Sequence, residues 1–166
     1  DVRKALACIA NVYYDFPSKK LNLYAVTGTK GKTTSSFLIY NILNDYQKPA
    51  GIISSVKVNT GAYEKSNDIT TPESMVLQKY LYDMVNAKVK DAVVEVSSQG
   101  VKMHRVDGLE FDTGIFLNIG TDHISPNEHK DFADYLLSKM KLFDMCKVGI
   151  INGDDGLLRG LISDFK

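Results

Sequence analysis

The sequence has 166 residues, 44% of them hydrophobic, which is enough apolar material for the core of a single globular domain over 1–166. Its 20 lysine and arginine residues balance 20 aspartate and glutamate residues, whereas nucleic-acid and membrane-surface partners usually require a basic excess. No apolar run could cross a bilayer, no signal peptide is recognisable, and Cys8 and Cys146 lack metal or disulfide spacing. We therefore expect a cytoplasmic protein with reduced thiols and, because the first residue is not Met, a piece of a longer chain.

Apolar residues switch between strand and helix periods along the chain. In chain order they predict a strand over 21–26, a helix over 32–46, a strand over 51–58, a helix over 75–85, strands over 92–96 and 113–119, a helix over 132–143, a strand over 148–152 and a helix over 156–165. This alternation predicts an α/β fold, a three-layer sandwich around a mostly parallel sheet. Ligands of such sheets bind beyond the carboxyl ends of the strands, so the polar residues there are the candidate site.

A Gly-Thr-Lys-Gly-Lys-Thr-Thr stretch joins the first predicted strand to the first predicted helix. Gly28 and Gly31 would let the backbone turn tightly and bring its N–H groups against a phosphate. Lys32 would contact the phosphates and Thr33 would ligate Mg²⁺. The usual phosphate-loop pattern has glycine where this chain has Val26, so the loop is a variant. It predicts nucleoside-triphosphate binding; the alternative is a glycine-rich helix start without a ligand.

Two further strand ends carry groups that bind metals. Glu95 ends an apolar strand and is costly to bury without a cation, which indicates either a Mg²⁺ ligand or an ion-paired structural residue. His123 follows another strand end at Asn118, and it is either a ligand or a hydrogen-bonded surface histidine. His104 and His129 have no comparable placement, and we interpret them as surface or structural residues.

Two other patterns have simple structural interpretations. Thr71, Pro72 and Glu73 fit the N-cap, the first position and the first turn of a helix. Lys139 shares a helix face with Tyr135 and, considered alone, is expected to be solvated.

The order of these motifs resembles that of the Mur ligases of bacterial cell-wall synthesis, over nearly the whole chain. The motifs are GTKGKTT at 28–34, TTPE at 70–73, EVSS at 95–98 with Arg105, Asn118 with Asp122 and His123, Tyr135 with Lys139, and INGDD at 151–155. The TTPE and EVSS motifs are most similar to the MurE-type subgroup, which adds the third amino acid to UDP-N-acetylmuramoyl-L-alanyl-D-glutamate.

The resemblance implies a P-loop NTPase-like central domain with ATP and Mg²⁺ as cofactors. A substrate carboxylate would take up the γ-phosphate as an acyl phosphate, and an amine would then displace phosphate to form an amide. The substrates would be UDP-N-acetylmuramoyl-dipeptide and an amino acid, in a cytoplasmic, monomeric enzyme without nucleic-acid or membrane partners. The N- and C-terminal domains of such an enzyme would be missing here, so we expect little or no ligase activity from this chain alone.

The resemblance also implies residue roles. The nucleotide would contact Gly28, Thr29, Lys30, Gly31, Lys32, Thr33, Thr34, Asn118, Asn152 and Asp155. The muramoyl-dipeptide would contact Thr70, Thr71, Ser97 and Arg105, and the magnesium ligands would be Thr33, Glu95, His123 and Lys139. The catalytic residues would be Lys32, His123 and Lys139. Lys139 would act as a carbamate formed with carbon dioxide, which requires a neutral amine and therefore a lowered pKa.

Four positions depart from the family pattern and leave the substrate details open: Lys30, Gln99, Met103 and Ser125. Two alternatives also remain, namely a folylpolyglutamate- or cyanophycin-type ligase and a non-catalytic nucleotide-binding module. The TTP and EVSS motifs favour the cell-wall ligase, and the sequence contains no Asn-Lys-x-Asp motif of the kind that reads guanine.

Overall fold

The computed structural model describes residues 1–46, 48–121 and 128–162 of the chain, with side chains up to residue 160. The helices are α1 (Val2–Tyr13), α2 (Lys32–Asp45), α3 (Ser74–Asn86), α4 (Ser98–Lys102), α5 (Phe132–Met140) and α6 (Gly156–Ile162). The strands are β1 (Asn22–Thr27), β2 (Ala50–Ile53), β3 (Lys57–Asn59), β4 (Glu64–Ser66), β5 (Asp91–Glu95), β6 (Phe111–Phe116) and β7 (Cys146–Ile151). Within these ranges, no helix has the length and apolar character that a membrane span requires.

The strands of the described ranges form one sheet in the order β4-β3-β2-β5-β1-β6-β7. Strands β2, β5, β1, β6 and β7 pair in parallel, whereas β3 pairs antiparallel with both β2 and β4. Val26 of β1 lies opposite Glu95 of β5 and Ile115 of β6, so the carboxyl ends of these strands lie at one edge of the sheet. The predicted α/β fold with a mostly parallel sheet is confirmed.

Helices cover both faces of the sheet, because successive strand residues point to opposite faces. Leu23 and Ala25 of β1 belong to the larger core, together with Leu81 of α3. Val26 of the same strand belongs to a separate core that includes Phe37 of α2. A third cluster joins α5 and α6 to β6 and β7. The predicted three-layer arrangement therefore follows from this alternation.

The single strand predicted over 51–58 is wrong. Strand β2 ends at Ile53, and the chain reverses into the antiparallel strand β3. Ser54 shapes the turn, because its hydroxyl oxygen accepts hydrogen bonds from the N–H groups of Val56 and Lys57. No glycine or proline marks this turn, and only Ser54 and Ser55 interrupt the apolar residues on either side of it.

Other differences concern short or exposed elements. Helix α4 has only five residues, and all three residues of β4 are exposed, so neither shows a period in the sequence. Helix α1 was not predicted either, and its apolar residues Ile9 and Val12 are exposed. Helix α5 ends at Met140 rather than 143, and a 3-10 helix follows at Phe143–Met145. The predicted end of the last helix at 165 lies outside the described residues.

Candidate active site

A pocket of about 290 Å³ lies at the carboxyl edge of the sheet, next to the ends of β1 and β5. Predicted site residues from separate parts of the chain line it, namely Lys32, Thr70, Thr71, Ser97, Arg105 and Lys139. Lys32, one of the candidate nucleotide-binding residues, therefore meets the candidate substrate-binding residues in one place, which is the arrangement that two reacting ligands would require.

The glycine loop between β1 and α2 turns tightly into the N-terminus of α2. A Cβ atom at Gly28 would lie 3.1 Å from the Cβ atom of Leu117, so a larger residue would displace the neighbouring strand end. Gly31 has a φ of 81° and is the N-cap of α2, a conformation that side chains other than glycine rarely adopt. The loop leads directly into the N-terminus of a 14-residue helix, whose dipole favours a bound anion.

Lys32 folds back across this loop. Its Nζ atom donates hydrogen bonds to the carbonyl oxygens of Gly28, at 2.9 Å, and Thr29, at 3.1 Å. Burial lowers the pKa of Lys32, and the negative charge of Glu95 partly opposes that change. The ammonium group of Lys32 is thus held beside the backbone that would bind phosphate.

Lys139 of α5 reaches the same loop from the other side of the pocket. Its side chain is buried, with an exposed fraction of 1%, and its Nζ atom donates a hydrogen bond to the Gly28 carbonyl oxygen at 2.9 Å. The two lysines therefore share one acceptor. Burial, followed by the charge of Lys32, lowers the pKa of Lys139 to about 7. The expectation of a solvated Lys139 is wrong, because its side chain is buried, and its lowered pKa is compatible with the carbamate that the resemblance implies.

The Lys139 ammonium group also lies over the ring of Tyr135, 4.7 Å from its centroid. The hydroxyl group of Tyr135 is 3.0 Å from the hydroxyl oxygen of Thr29, which accepts a hydrogen bond from Gly120 N at 2.8 Å. Helix α5 is therefore attached to the glycine loop by both of the residues that share its inner face.

Glu95 is fully buried at the end of β5, and one of its two carboxylate oxygens has no hydrogen-bond partner among the described residues. The other oxygen accepts a hydrogen bond from Ser55 N at 3.3 Å. Burial raises the pKa of Glu95, and the polar groups of Thr33 and Ser55 and the charge of Lys32 oppose this increase. An unpartnered carboxylate oxygen beside a threonine hydroxyl provides the oxygen ligands that Mg²⁺ prefers.

His123, the predicted imidazole ligand, lies outside the described residues. Within the described ranges, no three residues of the types His, Cys, Asp and Glu are grouped so that they could hold a metal ion. Among the described residues, the metal assignment therefore rests on Glu95, the hydroxyl of Thr33 and Lys139, of which only Lys139 lines the pocket.

On the opposite side of the pocket, Thr71 ties the end of β5 to the segment before α3. Its hydroxyl oxygen accepts a hydrogen bond from Ser97 N at 2.9 Å and lies 3.1 Å from Ser97 Oγ. Arg105 donates a hydrogen bond to the Thr71 carbonyl oxygen at 3.0 Å and forms an ion pair with Glu73 at 2.6 Å. The predicted N-cap at Thr71 is wrong, because α3 begins at Ser74 with Glu73 as its N-cap.

Three side chains that were predicted to contact the nucleotide form hydrogen bonds with the backbone near the neighbouring strand ends. The side-chain amide of Asn118 accepts a hydrogen bond from Lys30 N and donates one to Lys30 O, at 2.9 and 3.0 Å. Asn152 donates to the Leu117 carbonyl oxygen at 3.0 Å, and Asp155 accepts from Ile119 N at 3.1 Å. Asn118 and Lys30 also border a second groove of about 360 Å³ next to the loop.

His129 and Ser98 are among the pocket residues to which sequence reasoning gave no role in the site. His129 is buried rather than on the surface, and its Nε2 atom lies 3.0 Å from Ser98 Oγ. Both residues line the pocket. Nothing in the spacing of the sequence indicated this contact, because it joins α4 to the segment before α5. His104, the other histidine interpreted as surface or structural, is partly exposed and hydrogen-bonded to Asp107 at 2.8 Å.

The comparisons with known proteins confirm the resemblance. Residues 26–166 match the Mur ligase middle domain. The chain is 43% identical over 158 residues to UDP-N-acetylmuramoyl-L-alanyl-D-glutamate--L-lysine ligase from Streptococcus pneumoniae (strain D39), covering 93% of this chain and 32% of that protein. It is 41% identical over 162 residues to a UDP-N-acetylmuramoyl-L-alanyl-D-glutamate--2,6-diaminopimelate ligase from Clostridium acetobutylicum, covering 95% and 33%.

Similarity to solved structures gives the same result. The chain superimposes on a structure of UDP-N-acetylmuramoyl-L-alanyl-D-glutamate--2,6-diaminopimelate ligase with a TM-score of 0.82 and 26% identity. That match covers 98% of this chain and 33% of the other. The chain therefore spans about a third of the length of the relatives that it matches.

Proposed function

This chain belongs to the Mur ligase family, as a middle domain, and we propose that it binds ATP within an ATP-dependent amide ligase. The observation that carries this proposal is the convergence of Lys32 and Lys139 on the Gly28 carbonyl oxygen, next to Thr71, Ser97 and Arg105 in one pocket. The complete ligase would add the third amino acid to UDP-N-acetylmuramoyl-L-alanyl-D-glutamate, as the names of its relatives state for those proteins.

In this proposal the glycine loop and Lys32 hold the phosphates of ATP. Phosphoryl transfer is accelerated mainly by positioning and by neutralising charge, and Lys32 lies beside the loop that supplies the N–H donors. Thr33 and Glu95 would hold Mg²⁺, whose chemistry is to offset the negative charge of the phosphates. The unpartnered oxygen of Glu95 supports this assignment. His123 would complete the ligand set.

Lys139 would act as a carbamate. Its neutral amine would form an N–C bond with carbon dioxide and lose one proton, which converts a cation into an anion that could serve as a metal ligand. A pKa of about 7 supports this step, because a substantial fraction of the amine is then unprotonated near neutral pH. Burial of the side chain would protect the product from water.

Arg105, Ser97 and Thr70 would hold the muramoyl-dipeptide. The guanidinium of Arg105 pairs with Glu73 and lines the pocket, and its planar geometry suits a carboxylate or a phosphate. A substrate carboxylate held there would attack the γ-phosphate of ATP at the Lys32 side of the pocket. The resulting acyl phosphate would react with an amine to give the amide and phosphate.

The remaining two thirds of such a ligase would supply the other binding surfaces. The relatives use L-lysine or 2,6-diaminopimelate, so the identity of the added amino acid stays open. We expect this chain alone to have little or no ligase activity, and we place the complete, monomeric enzyme in the cytoplasm, where ATP is available.

Calorimetric titration of the purified chain with ATP and MgCl₂, and then with GTP, tests the nucleotide assignment. We expect saturable ATP binding that is at least about tenfold tighter than GTP binding, a difference of about 1.4 kcal/mol. Equal binding of both nucleotides would favour a different nucleotide module. Turnover of the muramoyl-dipeptide by this chain alone would contradict the need for further domains.

A further inference from the structure

Ser98, His129 and Asp134 form a hydrogen-bonded chain that ends in the pocket and has no role in the ligase chemistry proposed above. Ser98 Oγ lies 3.0 Å from His129 Nε2, and His129 Nδ1 lies 3.2 Å from Asp134 Oδ2. Both distances are within the range expected between a nucleophile, its base and the group that orients the base. Ser98 and His129 line the pocket, whereas Asp134 lies behind them.

The protonation states of Asp134 and His129 are those required to activate a serine nucleophile. Asp134 also accepts hydrogen bonds from Lys102 Nζ, at 2.6 Å, and Lys130 N, at 3.3 Å. The hydrogen bond from Lys102 is the main reason why the pKa of Asp134 falls to about 2, so this carboxylate is ionised and can only accept. Nδ1 of His129 must therefore donate to it. Burial lowers the pKa of His129, which leaves a neutral imidazole whose Nε2 atom accepts the proton of Ser98 Oγ.

Two helices position Ser98 and Asp134 on either side of His129. Ser98 is the first residue of α4, and Ser97 caps that helix by accepting a hydrogen bond from Gly100 N at 3.0 Å. Asp134 lies in the first turn of α5, where Asp131 is the N-cap. The Lys102–Asp134 ion pair joins the two helices at 2.6 Å. The serine and the carboxylate thus lie on two helices that this ion pair joins, with the imidazole between them.

We propose that Ser98 is an activated nucleophile, which accepts an acyl group from an anionic, activated acyl donor such as an acyl phosphate or a carboxylate-bearing ester. Recognition of an anionic donor is inferred from the cationic side chains of Lys32, Arg105 and, before carbamate formation, Lys139, which line the same pocket as the acidic Asp68 and Glu128. The catalytic roles are recognised from this geometry rather than from the order of the residues in the sequence.

The proposed reaction requires only the acyl donor and water. Ser98 Oγ forms a bond to the acyl carbon while its proton passes to His129 Nε2. The bond between the acyl carbon and the leaving oxygen breaks, and the leaving group takes that proton. Water then attacks the acyl-serine with His129 as the base, which releases the acid and restores the Ser98 hydroxyl.

Labelling of the purified chain with a fluorophosphonate tests whether the serine is activated, because this probe reacts with activated serines. Intact mass and peptide mapping are expected to show one adduct, at Ser98. The labelling rate is expected to fall about 100-fold in His129→Gln, which removes a general base. Asp134→Asn should reduce it less. Ser66→Ala, at an exposed serine of β4, is the control and should label like the wild type.

The following results would overturn the proposal that Ser98 is an activated nucleophile. Absence of an adduct at Ser98 in the folded wild-type chain, checked by circular dichroism, would overturn the proposal without any variant. Equal labelling of the wild type and of folded His129→Gln or Asp134→Asn would also overturn it. Release of 4-nitrophenol is counted as the wild-type rate minus the rate with folded Ser98→Ala, because the succinate monoester also hydrolyses through its own carboxylate. This difference should be larger for the succinate monoester than for the acetate ester, and the reverse order would refute an anionic donor. The inference does not depend on ATP binding, so calorimetry on the same sample separates its failure from failure of the proposed function.

Discussion

Charged side chains are buried at the carboxyl edge of the parallel strands but partly exposed on the outer antiparallel strands. At the carboxyl edge of β1 and β5, Glu95 and Lys139 are almost completely buried. At the outer antiparallel edge, Lys57 and Glu64 form a partly exposed ion pair at 3.0 Å. Burying charged groups is costly, whereas exposed pairs contribute little in either direction. Apart from Asp91 at the amino end of β5, the buried charges of the described residues thus lie at this carboxyl edge, where perturbed groups indicate binding or chemistry.

The largest expected effect comes from removing a cation at the pocket edge of the sheet. Lys32→Met should weaken ATP binding about 100-fold, because a hydrogen bond from a charged group contributes about 1.5–3 kcal/mol. Calorimetry with MgCl₂ measures the change. Lys57→Met is the matched control at the outer edge, where the lysine contacts Glu64 and the rings of Phe37 and Tyr40. Similar losses in both variants would contradict the functional difference between the two edges.

The next largest effect concerns packing behind the pocket. A Cβ atom at Gly100 would lie 2.7 Å from the Cβ and Cγ2 atoms of Thr71, which is itself held by Ser97. Gly100→Ala should therefore lower the free energy of unfolding by about 1–3 kcal/mol, as overpacking usually does. Urea denaturation measures this loss. Gly153→Ala is the control, because no atom lies within 4 Å of its added Cβ, and an equally large loss there would refute the packing argument.

Features that depend on local geometry could be predicted from the sequence, whereas features that depend on tertiary contacts could not. The parallel strands and the glycine loop were predictable, because apolar runs and the spacing of Gly28, Gly31 and Lys32 reflect local geometry. The turn at Ser54 was not, since it depends on hydroxyl hydrogen bonds rather than on glycine or proline. His129 was not either, because its burial follows from the packing of distant segments.

The position of Lys139 could be predicted from the sequence only in part. Its helical spacing from Tyr135 predicted a shared face, but only the resemblance to a family indicated that this face points inward. Periodicity cannot distinguish a buried lysine from a solvated one when a single charged residue lies on an otherwise apolar face. Its position on the Gly28 carbonyl oxygen required the three-dimensional arrangement of α5 and the glycine loop.

Lys139 also gives the stability of the folded chain a pH dependence that sharpens the comparison. Its pKa is about 7 in the folded chain and near 10.5 when unfolded, so between these values the unfolded chain binds more protons. Stability should therefore rise with pH across this window, by up to about 1.4 kcal/mol per pH unit. Urea denaturation in carbon-dioxide-free buffer with EDTA measures it. Lys139→Met should reduce this rise and leave the part that comes from Lys32, whose pKa is also lowered, whereas Lys141→Met, at an exposed lysine, should retain the full rise.

The smallest effect is expected at the outer edge, in Glu64→Gln. The hydrogen bond from Lys57 lowers the pKa of Glu64, so any contribution from the charged carboxylate is present at neutral pH and is lost as the pH falls. Solvent screens this exposed pair, Gln still accepts the hydrogen bond from Asn59, and Lys57 retains its contacts with the rings of Phe37 and Tyr40. The urea midpoint at pH 7 should equal that of the wild type, both at low salt and in 0.5 M NaCl (about a 4 Å screening length). A loss as large as that expected for Gly100→Ala would mean that the outer edge also depends on its charges, and the contrast between the edges would then fail.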